Sequence, residues 1–167
     1  AIRDNDPVIF CEHKVLYTVE GEVPEDSYTV PFGEADIARE GEDITVVALG
    51  RMVHQALEAA NTLSSDGISC EVVDLRTTSP LDEETILESV ENTGRLVVVD
   101  EANPRCSIAT DISALVAKKA FEYLNAPIEM VTAPHTPVPF SGALEDMYIP
   151  SPDNIVSAVK SVMDFSQ

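Results

Sequence analysis

Cations are scarce in this chain: 10 Lys and Arg stand against 30 Asp and Glu, a formal charge of −20. That balance excludes non-specific binding to nucleic-acid phosphates and to anionic lipid surfaces, both of which recruit Lys and Arg. It leaves a basic protein partner or a merely well-solvated surface, and the even spread of the acids favours the second. Long apolar runs are also missing, with none near the roughly 20 residues a membrane helix needs. The opening Ala1–Pro7 is charged and turn-rich, without the apolar segment of a secretory signal. A soluble, cytoplasmic chain is expected. Cysteine is limited to Cys11, Cys70 and Cys106, an odd number without a Cys-x-x-Cys pair, so reduced thiols are expected. His13, His54 and His135 are scattered, which argues against zinc. Neither Gly-x-x-x-x-Gly-Lys-Ser/Thr nor Gly-x-Gly-x-x-Gly occurs, and no Gly-x-Ser-x-Gly marks a nucleophile.

What is present is a regular alternation. A length of 167 residues fits one domain, able to bury roughly two thirds of its unfolded surface. Val8–Cys11 reads as a strand running on into Glu12–Tyr17. Residues 20–34, with Gly21, Pro24, Pro31 and Gly33, read as an extended surface linker. Ala35–Arg39 suits a short edge strand, and the apolar run Ile44–Leu49 suits one buried on both faces. Met52–Leu63 has apolar residues at helical spacing, closed by Gly67. The cycle continues with strand Cys70–Leu75, helix Asp82–Asn92 with Asp82 as N-cap, and strand Leu96–Asp100. A helix over about Ser107–Leu124, strand Ile128–Thr132, a Pro-rich crossing and a final helix over about Asp153–Phe165 complete it. Alternating strands and helices predict a three-layer α/β/α domain with a mostly parallel, mixed sheet of about five strands.

Ligands of such folds sit at the carboxyl ends of the strands. The loops there hold Gly50-Arg51, Arg76-Thr77-Thr78, Glu101–Arg105 and Pro134–Pro139. Arg76, two residues past Asp74, has a planar fork suited to a neighbouring subunit's carboxylate or a ligand phosphate, or to holding its own turn. His135 stands in a loop stiffened by Pro134 and Pro137, fit for fixed presentation. His54, inside a helix, carries no such signal. Cys70 opens an apolar strand and reads as core, whereas Cys106, beside Arg105 near a helix start, is where a thiolate would be stabilised.

Taken in order, Glu12–Tyr17, Pro31-Phe-Gly33, Thr45–Gly50, Asp74-Leu-Arg-Thr-Thr-Ser-Pro-Leu-Asp82, Val97–Glu101 and Ala133–Phe140 resemble the C-terminal half of β subunits of thiamine-diphosphate-dependent 2-oxo-acid dehydrogenase decarboxylase components. The C-terminal domain of that family is transketolase-like. Glu12-His-Lys14 and Asp100-Glu-Ala-Asn-Pro-Arg-Cys106 most resemble the acetoin dehydrogenase branch, with the pyruvate and branched-chain branches close behind.

The resemblance implies that residues 1–34 are the end of a preceding pyrimidine-binding domain plus linker, and 35–167 a transketolase C-terminal-like domain. It implies an α2β2 enzyme using thiamine diphosphate and magnesium, whose activating glutamate and substrate-side histidine lie in the preceding domain and whose diphosphate and magnesium site belongs to the α subunit. No catalytic, cofactor or metal residue is therefore carried onto this chain, which is not expected to be active alone. The implied partners are the α subunit, a second β subunit and the small basic subunit-binding domain of the acyltransferase. Asp164 and Phe165, in a terminal Met-x-Phe, are the candidate docking residues, with Arg76 and His135 as further partner-contact candidates. Ser166 and Gln167 depart from the family's ending, and Ser107 replaces a usual Gly at a helix entry, where Ser serves as a cap. The competing reading is a self-contained small enzyme or binding protein with a pocket built from Arg76, Glu101 and His135.

Overall fold

The computed structural model describes residues 2–165. Its core is a five-stranded sheet of β1 (Asp36–Arg39), β2 (Ile44–Ala48), β3 (Cys70–Asp74), β4 (Leu96–Asp100) and β5 (Glu129–Thr132), in the order β1-β3-β2-β4-β5. β2, β3, β4 and β5 are parallel, while β1 runs antiparallel to β3 with a bulge between Ile37 and Arg39. Every residue of β2 and β4 is buried, as the β-branched and apolar runs Ile44–Ala48 and Leu96–Val99 require of central parallel strands. The helices are α1 (Arg51–Ser65), α2 (Glu83–Thr93), α3 (Ile108–Lys119), α4 (Gly142–Tyr148) and α5 (Pro152–Met163).

Two apolar layers flank the sheet. Met52, Ala56 and Leu63 of α1 and Ile155, Val159 and Val162 of α5 pack on Val46, Val72 and Val97. On the other face Ile86 and Val90 of α2 and Ile112 and Val116 of α3 pack on Val47, Val73 and Val98. Alternation of side chains across each strand explains why neighbouring valines serve opposite layers. The three-layer, mixed, five-stranded architecture expected from the sequence is the one observed.

Four local expectations need correction. Val8–Cys11 is not a strand: it pairs with nothing among the described residues, and Phe10 is 73% exposed. Its β-branched residues have the propensity, but a strand exists only through a neighbour that accepts its ladder bonds. The following segment forms a 3₁₀ turn at Lys14–Thr18. The helix expected to reach Leu124 ends at Lys119; Ala120 leaves helical geometry, a 3₁₀ turn spans Phe121–Tyr123, and Asn125 N–H bonds to Gly94 O at 2.8 Å. That bond to the end of α2 pulls the chain off the helix axis. The Pro-rich crossing contains α4, too short and too exposed to leave a periodic signal. Finally, α5 starts at Pro152, behind Ser151, whose hydroxyl accepts from Asn154 N–H, and ends at Met163 with Asp164 as its C-cap.

Candidate functional site

Chain order reverses between β2 and β4: β2 leads outward to β3, and β3 crosses back to β4 on the other side. The carboxyl ends of β2 and β4 therefore flank the crevice where open α/β sheets bind ligands. The loops there were the expected site.

Arg76 stands just past the carboxyl end of β3 with φ +53°. Its N–H donates to Asp74 Oδ1 at 3.1 Å, and the next N–H, of Thr77, closes a tight turn onto Leu75 O. Its guanidinium Nη2 lies 2.9 Å from Asp36 Oδ2 on the antiparallel edge strand, both side chains being partly exposed. Arg76 thus links β1 to the end of β3.

The rest of that turn grips the linker. Thr77 Oγ1 accepts from Gly33 N–H at 2.8 Å, and Asp82 Oδ2 accepts from Ala35 N–H at 2.8 Å. Gly33 has φ +77°, and a Cβ there would lie 2.9 Å from Pro80 Cγ, so glycine is required both by backbone angle and by close approach. Asp82 does double duty, because its Oδ1 caps α2 by accepting from Thr85 N–H at 3.1 Å and its Oδ2 also accepts from the Thr85 hydroxyl at 2.8 Å. Partial burial pushes the Asp82 carboxyl up, but the three donors together outweigh it and hold it below the usual carboxylate range. The Arg76–Asp82 segment thus acts as a clasp on the linker.

Beyond β4, Glu101 Oε1 meets His13 Nε2 of the N-terminal arm at 2.9 Å. This contact spans 88 residues. Glu12-His-Lys14 is visible in the sequence as a motif and Glu101 as a loop acid, but no sequence signal joins them. Exposed His135 Nδ1 approaches Oδ1 of half-buried Asn103 at 3.4 Å, while Ala133 N–H bonds to Ala102 O at 3.1 Å and ties the loops after β4 and β5 together. Ser107 occupies the N-cap position of α3, yet Thr110 closes that turn: its Oγ1 accepts from Ser107 N–H at 3.2 Å and donates to Ser107 O at 2.7 Å. The Ser107 hydroxyl and Asp100 Oδ2 are buried without a protein partner.

Arg76, Glu101 and His135 are therefore each engaged separately, by Asp36, His13 and Asn103. The structure does not converge them on one pocket. One groove runs beside β5 and α5 and another beside Gly41 and Ser69; neither is lined by these three residues. Among the described residues no group of three or more His, Cys, Asp or Glu comes together as metal ligands, and no helix is long and apolar enough to cross a membrane. Neither Gly-x-x-x-x-Gly-Lys-Ser/Thr nor Gly-x-Gly-x-x-Gly occurs in the sequence, so no helix begins on either of these phosphate-binding motifs. Burial pushes the Cys70 thiol up to about 11, with nearby Arg39 and Asp43 acting in opposite senses, which makes it a core residue and not a nucleophile. Cys106 is exposed with φ +52°, and His54 is exposed on α1.

At the far end of the fold, Asp164 and Phe165 close α5. Asp164 N–H bonds to Lys160 O at 2.9 Å, and the Phe165 ring remains 45% exposed. Lys160 in turn pairs with Asp66 at 2.8 Å, anchoring the end of α5 to the end of α1. Ser166 and Gln167, noted in the sequence as departing from the family's ending, lie outside the described residues.

A mostly parallel five-stranded sheet with helices on both faces, its first strand antiparallel at one edge, defines an open, doubly wound α/β domain. Residues 33–155 match the family model described as transketolase, C-terminal domain, and the chain belongs to that family. It is 68% identical over 163 residues to the acetoin:2,6-dichlorophenolindophenol oxidoreductase subunit beta of Cupriavidus necator, covering 98% of this chain and 48% of that protein. The Bacillus subtilis protein of the same name is 61% identical over 98% of this chain and 48% of its own length. The B. subtilis pyruvate dehydrogenase E1 component subunit beta is 48% identical over 99% of this chain and 51% of its own. The chain thus spans about half the length of these curated relatives. Among solved structures, a split gene transketolase described as an inactive beta4 tetramer superposes with TM-score 0.74 at 28% identity, over 88% of this chain and 47% of that one.

Proposed function

We propose that this chain is the assembly domain of the β subunit of a thiamine-diphosphate-dependent dehydrogenase of the acetoin or 2-oxo-acid type, without catalytic activity alone. The observation that carries the reading is the 68% identity to an acetoin oxidoreductase β subunit along 98% of the chain. In this reading residues 1–34 are the end of a pyrimidine-binding domain plus linker, and the Arg76–Asp82 clasp fixes that linker to the domain at 35–167. The His13–Glu101 contact adds a second fixed point. Thiamine diphosphate would supply the carbanion chemistry elsewhere in the full enzyme, and this chain's residues would serve its geometry.

The partners are the α subunit, a second β subunit and the basic subunit-binding domain of the acyltransferase. Phe165 supplies an exposed aromatic anchor and Asp164 an adjacent carboxylate, the pairing of apolar and acidic surface that a small basic domain fits. Arg76 is ion-paired within the chain, so it is the weaker contact candidate, while His135 stays exposed. Cytoplasmic location is part of the same proposal.

Titration of the chain with the cognate subunit-binding domain at low and high salt tests this role. Affinity is expected to fall steeply with ionic strength, since exposed charges are screened beyond about 8–10 Å at physiological salt. Absent or salt-independent binding would remove the docking function. Calorimetry with thiamine diphosphate, pyruvate and acetoin separates the competing self-contained enzyme, for which specific binding by the chain alone is expected.

A further inference from the structure

β5 is the outer strand of the sheet, with β4 on one side and no strand on the other among the described residues. A groove of about 500 Å³ lies along it. Four consecutive β5 residues, Glu129, Met130, Val131 and Thr132, line this groove. Successive side chains of a strand point to opposite faces, so a groove against one face would meet only alternate residues. Contact with all four places the groove along the unpaired backbone edge.

The walls fit the same description. One is the α5 stripe Asn154, Ser157, Ala158 and Ser161, spaced i, i+3, i+4 and i+7 on one helix face. These side chains are short and leave room for a main chain beside the strand. The other wall is the run Met147–Pro150 at the end of α4. Four strand residues extend about 13 Å at the usual rise, the length of a short extended segment.

The electrostatics select the occupant. No Lys or Arg occurs between Lys119 and Lys160, whereas Glu122, Glu129, Glu145, Asp146 and Asp153 do. Met147 at the groove, and Phe140 and Leu144 before it, are exposed apolar side chains. A second copy of a chain of charge −20 would bring like charges together at this edge.

We propose that the open edge of β5 is a strand-addition site for an extended segment of a partner protein that alternates apolar and basic residues. Main-chain ladder bonds to Glu129–Thr132 supply affinity, and Glu129 at the groove, within a stretch of chain free of Lys and Arg, supplies selectivity. The groove is defined by this chain's own geometry and does not depend on the role assigned to Asp164 and Phe165.

The test uses the 167-residue chain and short synthetic peptides as probes, with backbone amide shifts as readout. A valine–lysine alternating peptide is expected to bind saturably, shifting the amides of Glu129–Thr132. The same peptide N-methylated at alternate amides is expected to bind roughly tenfold or more weakly, the worth of one or two ladder hydrogen bonds. Ser157→Tyr, at an exposed position that leaves the core intact, fills the groove and should abolish the shifts, while Glu129→Lys should weaken the lysine peptide. Equal binding of a valine–glutamate peptide, indifference to N-methylation, or shifts confined to other residues would overturn the proposal. So would a dimer in sedimentation experiments that buries β5 and excludes the peptide.

Discussion

Replacing Asp82 by Ala removes more than a helix cap. The carboxylate accepts from Thr85 N–H at 3.1 Å, from the Thr85 hydroxyl at 2.8 Å and from Ala35 N–H at 2.8 Å. Loss of the cap costs about 1 kcal/mol. The linker bond adds a further contribution of about 1 kcal/mol, because Ala35 N–H is partly sheltered and loses a charged acceptor. The sum of about 2 kcal/mol corresponds to a melting-temperature drop of about 4–8 °C for a domain of this size. Asp82→Ser retains a cap oxygen and should recover about half. The pH dependence has a definite sign. Asp82 titrates below its unfolded value, so its contribution is complete above about pH 3.9 and is lost as pH falls through the lower folded value. Differential scanning calorimetry of wild type and Asp82→Ala should therefore show a gap at neutral pH that narrows in acid. Hydrogen exchange at Ala35 should accelerate in the variant. A gap under about 1 °C at neutral pH, or unchanged exchange at Ala35, would refute the clasp.

Three further outcomes follow from the same geometry. Under native conditions at pH 8, a thiol reagent should label exposed Cys11 and Cys106 but spare Cys70, whose thiol burial raises to about 11; rapid labelling of all three would contradict its burial. Thr45→Val should cost only about 1 kcal/mol in urea denaturation although Thr45 is fully buried, because Ser89 keeps its bond to Glu71 and Thr93 keeps the Ser89 carbonyl; a loss above about 3 kcal/mol would mean the hydroxyl network acts as a unit. Arg76→Ala should cost no more than about 1 kcal/mol, since its bridge to Asp36 is partly exposed, and chemical denaturation showing a loss several times larger would assign it another role.

The sheet was legible because β2 and β4 are central and buried on both faces, so their composition reads as an unbroken apolar run. Helices α1 and α2 showed their inner faces at regular spacing, and Asp82 announced the start of α2. What sequence left hidden depends on distant partners. Val8–Cys11 has strand composition but no neighbour, and α4 has too few turns to show a period. The candidate residues were visible as loop residues; their partners were not. Nothing local pairs Arg76 with Asp36, Glu101 with His13 or Ala35 with Asp82, and those pairings fasten the carboxyl-edge loops to β1, to the N-terminal arm and to the linker. The groove at β5 was equally invisible, since it arises from the order of strands and from the small residues of α5 that sequence periodicity counts only as the polar face.

The role of supporting domain is tested most directly by assaying the purified chain for acetoin-dependent reduction of 2,6-dichlorophenolindophenol with thiamine diphosphate and magnesium supplied. No turnover above the protein-free background is expected, because the proposed role places the cofactor site in polypeptide outside this chain. Sustained, acetoin-dependent dye reduction by the chain alone would contradict that role.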